Sequence, residues 1–219
     1  MMTLRFAYSV SGVVKFLSHL DVLKMFNRAL MRAALPVAYS EGFNPHPKIS
    51  FGPPRGVGIE GWREYGDITL REDVSPEEFC RRLNDALPKD LRILDARELG
   101  LPAKALMAVI NLTSYQAVFP QDELLLKVLQ QEVDRFQQAD KVEIVRHHPK
   151  KGDKIVDLKA GIRSVKLQGN LLLLEIPFTE GGSAKPLEVL QYLVPEGVDY
   201  QTARTGLYVL DAAGNAQLP

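Results

Sequence analysis

Residues 39–51 read YSEGFNPHPKISF, and we expect the rest of the chain to be arranged around this stretch. It combines three aromatic residues with a glycine, a lysine and two prolines, whereas an ordinary buried strand alternates aliphatic residues. Pro45 and Pro47 fix their own φ angles and push Asn44 and His46 toward extended conformations. The sequence therefore predicts a stiff, non-helical bend that presents its side chains outward.

Two interpretations of this bend remain open. In the functional one it is a ligand-contacting loop, in which Gly42 supplies a left-handed turn between the Tyr39–Ser40 pair and Phe43. In the structural one it is a proline-rich turn that Phe43 and Phe51 anchor to the protein.

Periodicity on both sides of the bend predicts a β-α-β-β-α-β order. Ser18 and Ser75 are expected helix N-caps, the second followed by a proline and two acidic residues that suit a first turn. The predicted strands cover residues 3–10, 37–40 with 48–51, 63–70 and 91–99, and the predicted helices run from Ser18 to Pro36 and from Ser75 to Pro88.

The second half repeats this order, with strands at 112–119, 141–145, 155–165, 170–178 and 201–210 and helices at 122–138 and 187–193. We therefore predict an α+β fold of two tandem ferredoxin-like domains, each an antiparallel sheet with its helices on one face. The expected domains are residues 1–104 and 105–219, with a linker at 100–107 and a frayed tail from Asp211.

Composition is that of a soluble globular protein, with 46% apolar and 25% charged residues. No run of 18 apolar residues occurs, and the N-terminus leads directly into a strand pattern, so neither a membrane span nor a signal peptide is expected and the location is expected to be cytoplasmic. The single Cys80 cannot form an intrachain disulfide, a structural zinc site or an iron-sulfur cluster. We expect no cofactor.

Charge is balanced overall, with 27 basic and 27 acidic residues, but it is unevenly distributed. Basic residues predominate up to Val57 and again in residues 141–166, and an acidic block occupies residues 60–98. This separation suggests a basic face for a phosphate-rich partner. The alternative is two ordinary solvated surfaces.

His19 is the candidate catalytic residue. At the start of a helix it is placed to act as a general base on a ribose 2′-hydroxyl, with Lys15 or Arg28 steadying a phosphate. The same segment also makes a competent helix cap that needs no function. A metal shared by His19 and His46 lacks a third ligand at useful spacing, so no metal site is predicted.

The candidate nucleic-acid or ligand-binding residues combine aromatic, basic and glycine-rich positions. Aromatic rings stack unpaired bases, at about 1–3 kcal/mol each, while cations hold the backbone. Glycines before a helix leave backbone N–H groups free for an anion. The set is Lys15, Ser18, Arg28, Tyr39, Gly42, Phe43, Asn44, His46, Lys48, Lys159, Arg163, Gly181, Gly182, Ser183 and Lys185.

Several motifs resemble the radical SAM-linked protein family, a domain of unknown function. They are KFLSHLD (15–21), RALMRAALP (28–36), YSEGFNPHPKISF (39–51), VDLK (156–159), GGSAKPLEVL (181–190) and ARTGLY (203–208). In that family the domain stands alone or is fused to a cobalamin-binding radical SAM protein, often encoded near ribonuclease G and ribosomal proteins. The resemblance implies an accessory role in RNA or ribosome modification and supplies no catalytic residues.

The paired ferredoxin-like order is also similar, at the level of fold, to CRISPR repeat-processing endoribonucleases, which often carry a histidine on the first helix. His19 falls in a comparable place. Those enzymes have a glycine-rich loop near the C-terminus, whereas this chain has its glycine pair before the last helix.

Three functional hypotheses follow. The first is an RNA-binding or substrate-presenting partner, itself non-catalytic, of a radical SAM enzyme that modifies tRNA or rRNA. The second is a metal-independent endoribonuclease that uses His19. The third is a protein-only adaptor that docks the radical SAM protein without touching RNA.

Overall fold

The N-terminal segment is a strand that is buried at nearly every position, and the elements of the first hundred residues follow the predicted order closely. The structure, a computed structural model, describes residues 1–100, 103–147, 152–178 and 183–219. The strands are β1 Met2–Val10, β2 Ile49–Phe51, β3 Glu60–Leu70, β4 Leu91–Glu98, β5 Leu112–Val118, β6 Glu143–Arg146, β7 Lys154–Asp157, β8 Ser164–Gln168, β9 Leu171–Pro177, β10 Gln201–Leu210 and β11 Ala216–Gln217. The α-helices are α1 His19–Arg32, α2 Pro76–Ala86, α3 Leu106–Val109, α4 Glu123–Gln138 and α5 Pro186–Leu193, with 3₁₀-helices at Gly12–Phe16 and Lys159–Gly161.

Contacts divide the chain into two compact units. Unit 1 contains Met1–Ile110 and Arg204–Pro219, and unit 2 contains Asn111–Ala203. The predicted boundary at residues 104 and 105 lies close to the first crossing point, but the contacts assign the C-terminal residues from Arg204 to unit 1. The division into domains 1–104 and 105–219 stays a prediction.

Unit 1 is built on a sheet in which β1 lies between β4 and β3 and β2 lies along β3. All three of these pairings are antiparallel. Strands β1 and β2 are therefore parallel to each other with β3 between them, and α1 makes the crossover. In the same way α2 connects β3 to β4 across β1.

The core of unit 1 is a cluster of aromatic rings. Phe6 of β1 lies 5.7 Å from Phe26 of α1, 5.6 Å from Phe79 of α2 and 6.1 Å from Phe51 of β2, measured between ring centroids. Both helices therefore pack on one face of the sheet, as predicted. Gly66, opposite Phe6 on β3, leaves room for this ring, because a Cβ there would lie 2.4 Å from Phe6 Cζ.

Both predicted helix caps of unit 1 are confirmed. Ser18 accepts a hydrogen bond from the backbone N–H of Asp21 at 3.3 Å, and Ser75 accepts one from Glu78 at 3.2 Å. These side chains satisfy backbone donors that have no partner inside the helix. The local pattern was sufficient to place both helix starts.

Unit 2 contains an antiparallel sheet in the order β5-β9-β8 and a separate β6-β7 hairpin. The predicted single strand at 155–165 is wrong, because the chain there is divided into β7, a 3₁₀-helix and β8. Asp157 causes the break, since its carboxylate accepts hydrogen bonds from the backbone of Val142 at 3.1 Å and of Lys159 at 3.0 Å. The residues therefore turn instead of continuing as a strand.

Three further segments differ from the sequence prediction. The predicted strand at 37–40 is reduced to isolated bridges, Val37 with Leu70 and Tyr39 with Pro47. The described part of the predicted linker ends in α3, whose Leu106 is buried. The tail is held in place, because β11 pairs with β10 and Asp211 accepts hydrogen bonds from the turn between them.

Among the residues that the structure describes, no helix is both long enough and apolar enough to cross a membrane.

Candidate nucleic-acid interface

The aromatic loop, residues 39–48, is fastened at its base. The Ser40 N–H donates to the His46 carbonyl at 2.8 Å, and the His46 N–H donates to the Ser40 hydroxyl oxygen at 3.0 Å. One step further in, the Lys48 N–H donates to the Ala38 carbonyl at 2.7 Å. These bonds close a narrow hairpin and leave residues 41–45 as its tip.

The same base is attached to the sheet of unit 1. The Ala38 N–H donates to the Thr69 carbonyl at 2.9 Å, and the Thr69 N–H donates to the Lys48 carbonyl at 2.9 Å. Phe51, three residues beyond the loop, is buried in the aromatic core. The loop is thus carried on a rigid support.

The tip of the aromatic loop is open to solvent. Phe43 is fully exposed, at 106% of its reference area, and Tyr39 is 43% exposed. Gly42 has a φ of +118°, as the predicted turn requires, while Asn44 is exposed beside it. The structural interpretation, in which Phe43 anchors the turn, is therefore wrong, and Phe51 alone of the two phenylalanines is an anchor.

His46 and Lys48 are also exposed, one in the loop and one at its end. The loop thus presents two rings, an imidazole and an ammonium group on one short hairpin. An exposed phenylalanine forgoes about 1.5–3 kcal/mol of the hydrophobic stabilisation that burial would give, so this ring is available to a ligand.

His19 begins α1, where Ser18 forms the cap, and its side chain is exposed. Its ring stands edge-on to the buried Phe51, with 5.8 Å between the ring centroids. The Ser18 hydroxyl donates to the Asp21 carboxylate at 2.7 Å. The structure thus places His19 beside Phe51, the buried residue that follows the aromatic loop.

Lys15, predicted to steady a phosphate, forms an ion pair with Glu60 at 3.2 Å. Its ammonium nitrogen also lies 5.6 Å from the ring centroid of Phe16, which is 62% exposed. Sequence reasoning did not single out Phe16, although an aromatic residue next to a lysine just before a helix was the available signal.

His19 lines a small cavity with Pro53, Pro54 and Glu64, and these three residues belong to a buried polar centre that sequence reasoning also missed. Arg204 of β10 forms a bidentate ion pair with Glu64 of β3, with 2.8 Å between Arg204 Nε and a carboxylate oxygen, and its other groups donate to the carbonyls of Pro53 and Pro54. Burial, and secondarily the Glu64 charge, raises the pKa of the neighbouring Tyr8 hydroxyl well above its usual value. The hydrogen bonds from Arg204 therefore hold Pro53 and Pro54, which follow β2, in place.

Arg28 lies elsewhere on α1. It lines a groove with Lys24 and Arg32, beside the end of α2. The sequence grouped Arg28 with the aromatic loop because it precedes the loop in the chain, but the structure groups it with the other cations of its own helix.

The basic candidates in unit 2 have partners within the chain. The Lys159 ammonium donates to the Gln137 carbonyl at 2.7 Å and to the Ala139 carbonyl, so it caps the C-terminal end of α4. Arg163 lies 3.7 Å from the carboxylate of Glu175.

Gly181 and Gly182 lie outside the described residues, while Ser183 and Lys185 directly precede α5. The Glu188 carboxylate accepts hydrogen bonds from Arg146 at 2.8 and 2.6 Å and from the Lys185 N–H at 3.3 Å, and Arg146 also donates to the Ser183 carbonyl. Burial alone would raise the pKa of Glu188, but Arg146 and Lys185 together lower it. An external anion at this helix end would therefore compete with the Glu188 carboxylate.

Within the described ranges, no group of three or more histidine, cysteine, aspartate or glutamate side chains is arranged to hold a metal ion.

Comparison with known proteins gives a family and little else. No curated protein matches the chain. Solved structures include one described as an unknown protein from Galdieria sulphuraria, which is 13% identical with a TM-score of 0.29 over 94% of this chain and 99% of that one. A family model described as an uncharacterized protein conserved in bacteria, DUF2344, matches residues 3–191, and the chain therefore belongs to the DUF2344 family.

Proposed function

We propose that this protein is an RNA-binding accessory factor that presents tRNA or rRNA to a radical SAM enzyme, and that the aromatic loop contacts the RNA. The observation that supports this most directly is the fully exposed Phe43 ring at the tip of a firmly fastened loop. A bare ring held in place by backbone hydrogen bonds is a stacking platform that needs little further ordering when a base arrives.

Each exposed group of the loop has a role in this proposal. Phe43 and Tyr39 stack unpaired bases, which expose both faces in loops and single strands of RNA. Lys48 pairs with a phosphate, and His46 donates a hydrogen bond to a phosphate or a base edge. Because the phosphate contact releases counterions, binding weakens as salt rises.

The radical SAM partner rests on the family resemblance of motifs such as SHLD (18–21) and GFNPHPK (42–48). A chain with a single cysteine cannot bind an iron-sulfur cluster with its own thiolates, so the cluster would belong to the partner. We also propose a cytoplasmic location for both proteins.

We propose further that the chain is a tandem of two ferredoxin-like domains. The strand order β4-β1-β3-β2 with both helices on one face supports this for the first domain. In the second half the order β5, α4, β8, β9, α5, β10 supports a repeat into which the β6-β7 hairpin is inserted.

The RNA proposal is tested by fluorescence anisotropy with a labelled oligo(U) of about 12 nucleotides and with unmodified tRNA. The test variant is Phe43→Ala/Lys48→Ala. The matched control is Leu124→Ala/Lys127→Ala, which removes one exposed apolar residue and one exposed lysine from α4.

Loss of one stack and one phosphate contact should weaken RNA binding by about 10- to 100-fold in the loop variant and leave the control unchanged. The slope of log K against log salt should fall by about 0.7 in the loop variant. Absence of RNA binding by the wild type at low salt, or equal binding by the two variants, rejects the proposal.

His19 as a general base stays a prediction, which its exposed position against Phe51 keeps open. Incubation of the protein with structured RNA in EDTA decides between a binding and a cleaving role. Cleavage that disappears in His19→Ala would make the protein an endoribonuclease. Intact RNA, or equal cleavage by the variant, removes the hypothesis of an endoribonuclease that uses His19.

A further inference from the structure

A groove of about 730 Å³ runs along α1, and the C-terminal end of α2 forms its other wall. The described residues that line it all belong to unit 1. We call it the α1 groove. It is separate in sequence from the aromatic loop, and its lining has a different chemical character.

The floor of the α1 groove is apolar. Leu17 and Met25 are partly buried and pack against the core of unit 1, and Leu87 belongs to that core. Ala86 and Pro88 complete this surface beside the end of α2. An unbranched methionine adapts to side chains of different shape, so such a floor suits apolar anchors of a partner.

The rim of the α1 groove is cationic. Lys24, Arg28 and Arg32 follow one another at intervals of four residues, so they form a row about 12 Å long on one face of α1. Arg32 is held in place because it donates to the Ala86 carbonyl at 2.6 Å. Arg28 is exposed at the centre of this row.

Of the described residues that line the groove, only Asp21 is acidic, and its carboxylate is already engaged. It accepts a hydrogen bond from the Ser18 hydroxyl at 2.7 Å and forms an ion pair with Lys24 at 3.3 Å. These two partners lower the pKa of Asp21, so it stays ionised at neutral pH. Three cations against one carboxylate leave the rim with an excess of positive charge.

We infer that the α1 groove binds an acidic amphipathic helix of a partner protein. About two turns of such a helix match the row of cations, with apolar residues at i, i+4 and i+7 on the Leu17, Met25 and Leu87 floor and glutamates facing the rim. Charge complementarity selects the acidic helix over a basic or neutral one.

A nucleic acid fits this groove less well than a helix does. Among the described residues that line the groove none is aromatic, so it offers no surface on which bases can stack. The apolar floor would also face phosphate groups without offering them a positive charge or a hydrogen-bond donor. The stacking rings are concentrated in the aromatic loop instead.

The experiment selects helical peptides of about 16 residues from a displayed random library on the full-length wild-type protein. Arg28→Glu serves for counter-selection, because Arg28 is exposed and its replacement does not disturb the core. Lys127→Glu on α4 is the matched control, since it makes the same change in net charge at an exposed position outside the groove.

The enriched peptides should share an acidic amphipathic pattern. The best of them, made synthetically, should bind wild type and Lys127→Glu equally and bind Arg28→Glu about tenfold or more weakly. Changing its central glutamate to lysine should restore binding to Arg28→Glu. The loop variant Phe43→Ala/Lys48→Ala should bind the peptide as wild type does, which separates this test from that of RNA binding.

Failure to enrich peptides, enrichment without the acidic amphipathic pattern, or equal binding to Arg28→Glu and Lys127→Glu overturns the inference. The oligo(U) probe provides the remaining comparison. If Arg28→Glu loses oligo(U) binding while peptide binding is unaffected, the groove belongs to nucleic acid and the inference is equally overturned.

Discussion

Replacing Arg204 by methionine should destabilise unit 1 severely. The Arg204 side chain is 1% exposed and its partner Glu64 is 4% exposed, so the ion pair is screened from water. Methionine fills much of the same volume but leaves the Glu64 carboxylate buried without its cation. The carbonyls of Pro53 and Pro54 lose a donor at the same time.

The expected loss is about 3–5 kcal/mol in the free energy of unfolding, the range for removing one partner of a buried ion pair. The double variant Glu64→Leu/Arg204→Met no longer contains an unpaired buried charge. It should therefore recover more than half of that loss, and the remainder should be about 1–2 kcal/mol from the two carbonyls. The two variants together separate the charge effect from simple loss of contacts.

Urea titration followed by tryptophan fluorescence measures this change. Trp62 is the single tryptophan of the chain and lies on β3, two residues from Glu64, so its emission reports on unit 1. With a slope of about 2 kcal/mol per molar urea, the unfolding midpoint should fall by about 2 M. Arg71→Met, at an exposed position just after β3, is the control and should change stability by no more than about 0.5 kcal/mol.

A loss below about 1 kcal/mol for Arg204→Met would refute the reasoning, because an unpaired buried carboxylate cannot cost so little. A double variant no more stable than the single one would show that the charge is not the cause.

Further outcomes are expected from single substitutions and from pH. Phe51→Ala should cost about 3–5 kcal/mol because its ring is in the core, whereas Phe43→Ala at the tip of the aromatic loop should change stability by no more than about 0.5 kcal/mol. Thermal unfolding of both variants compares them. Burial raises the pKa of Cys80 from 9.0 to about 11, so less of the reactive thiolate is present at pH 8. Alkylation of Cys80 by iodoacetamide at that pH should therefore be about a hundredfold slower in the native than in the urea-unfolded protein. Equal alkylation rates would contradict this. Because the pKa of Glu188 is lowered in the folded protein, its ionised carboxylate stabilises the fold above pH 4.5, and this contribution is lost as the pH falls below that value. The difference in the free energy of unfolding between wild type and Glu188→Gln should therefore shrink, and should not grow, as the pH is lowered.

The aromatic loop shows what a local pattern reveals. Its two prolines and Gly42 predicted a stiff, outward-facing bend, and the exposed Phe43 and Lys48 agree with that prediction. The pattern did not distinguish Phe43 from Phe51, because burial depends on the helices and strands that come to lie around each ring.

The basic residues show the opposite case. Lys15, Lys159 and Lys185 all count as free cations in a sequence, but the fold pairs them with Glu60, with the end of α4 and with Glu188. Glu60 lies 45 residues after Lys15 in the chain, and the Gln137 carbonyl at the end of α4 lies 22 residues before Lys159. A count of charges along the chain therefore overestimates the basic surface.

The sequence by itself determined the order of helices and strands from β1 to β4, the starts of α1 and α2 and the exposed bend, because each depends on side chains within a few residues of one another. Only the tertiary structure decided that Arg204 is buried against Glu64, that Lys24, Arg28 and Arg32 border an apolar groove, and which basic residues keep their charge free. Those features join residues of separate elements, and sheet order and helix packing alone bring these residues together.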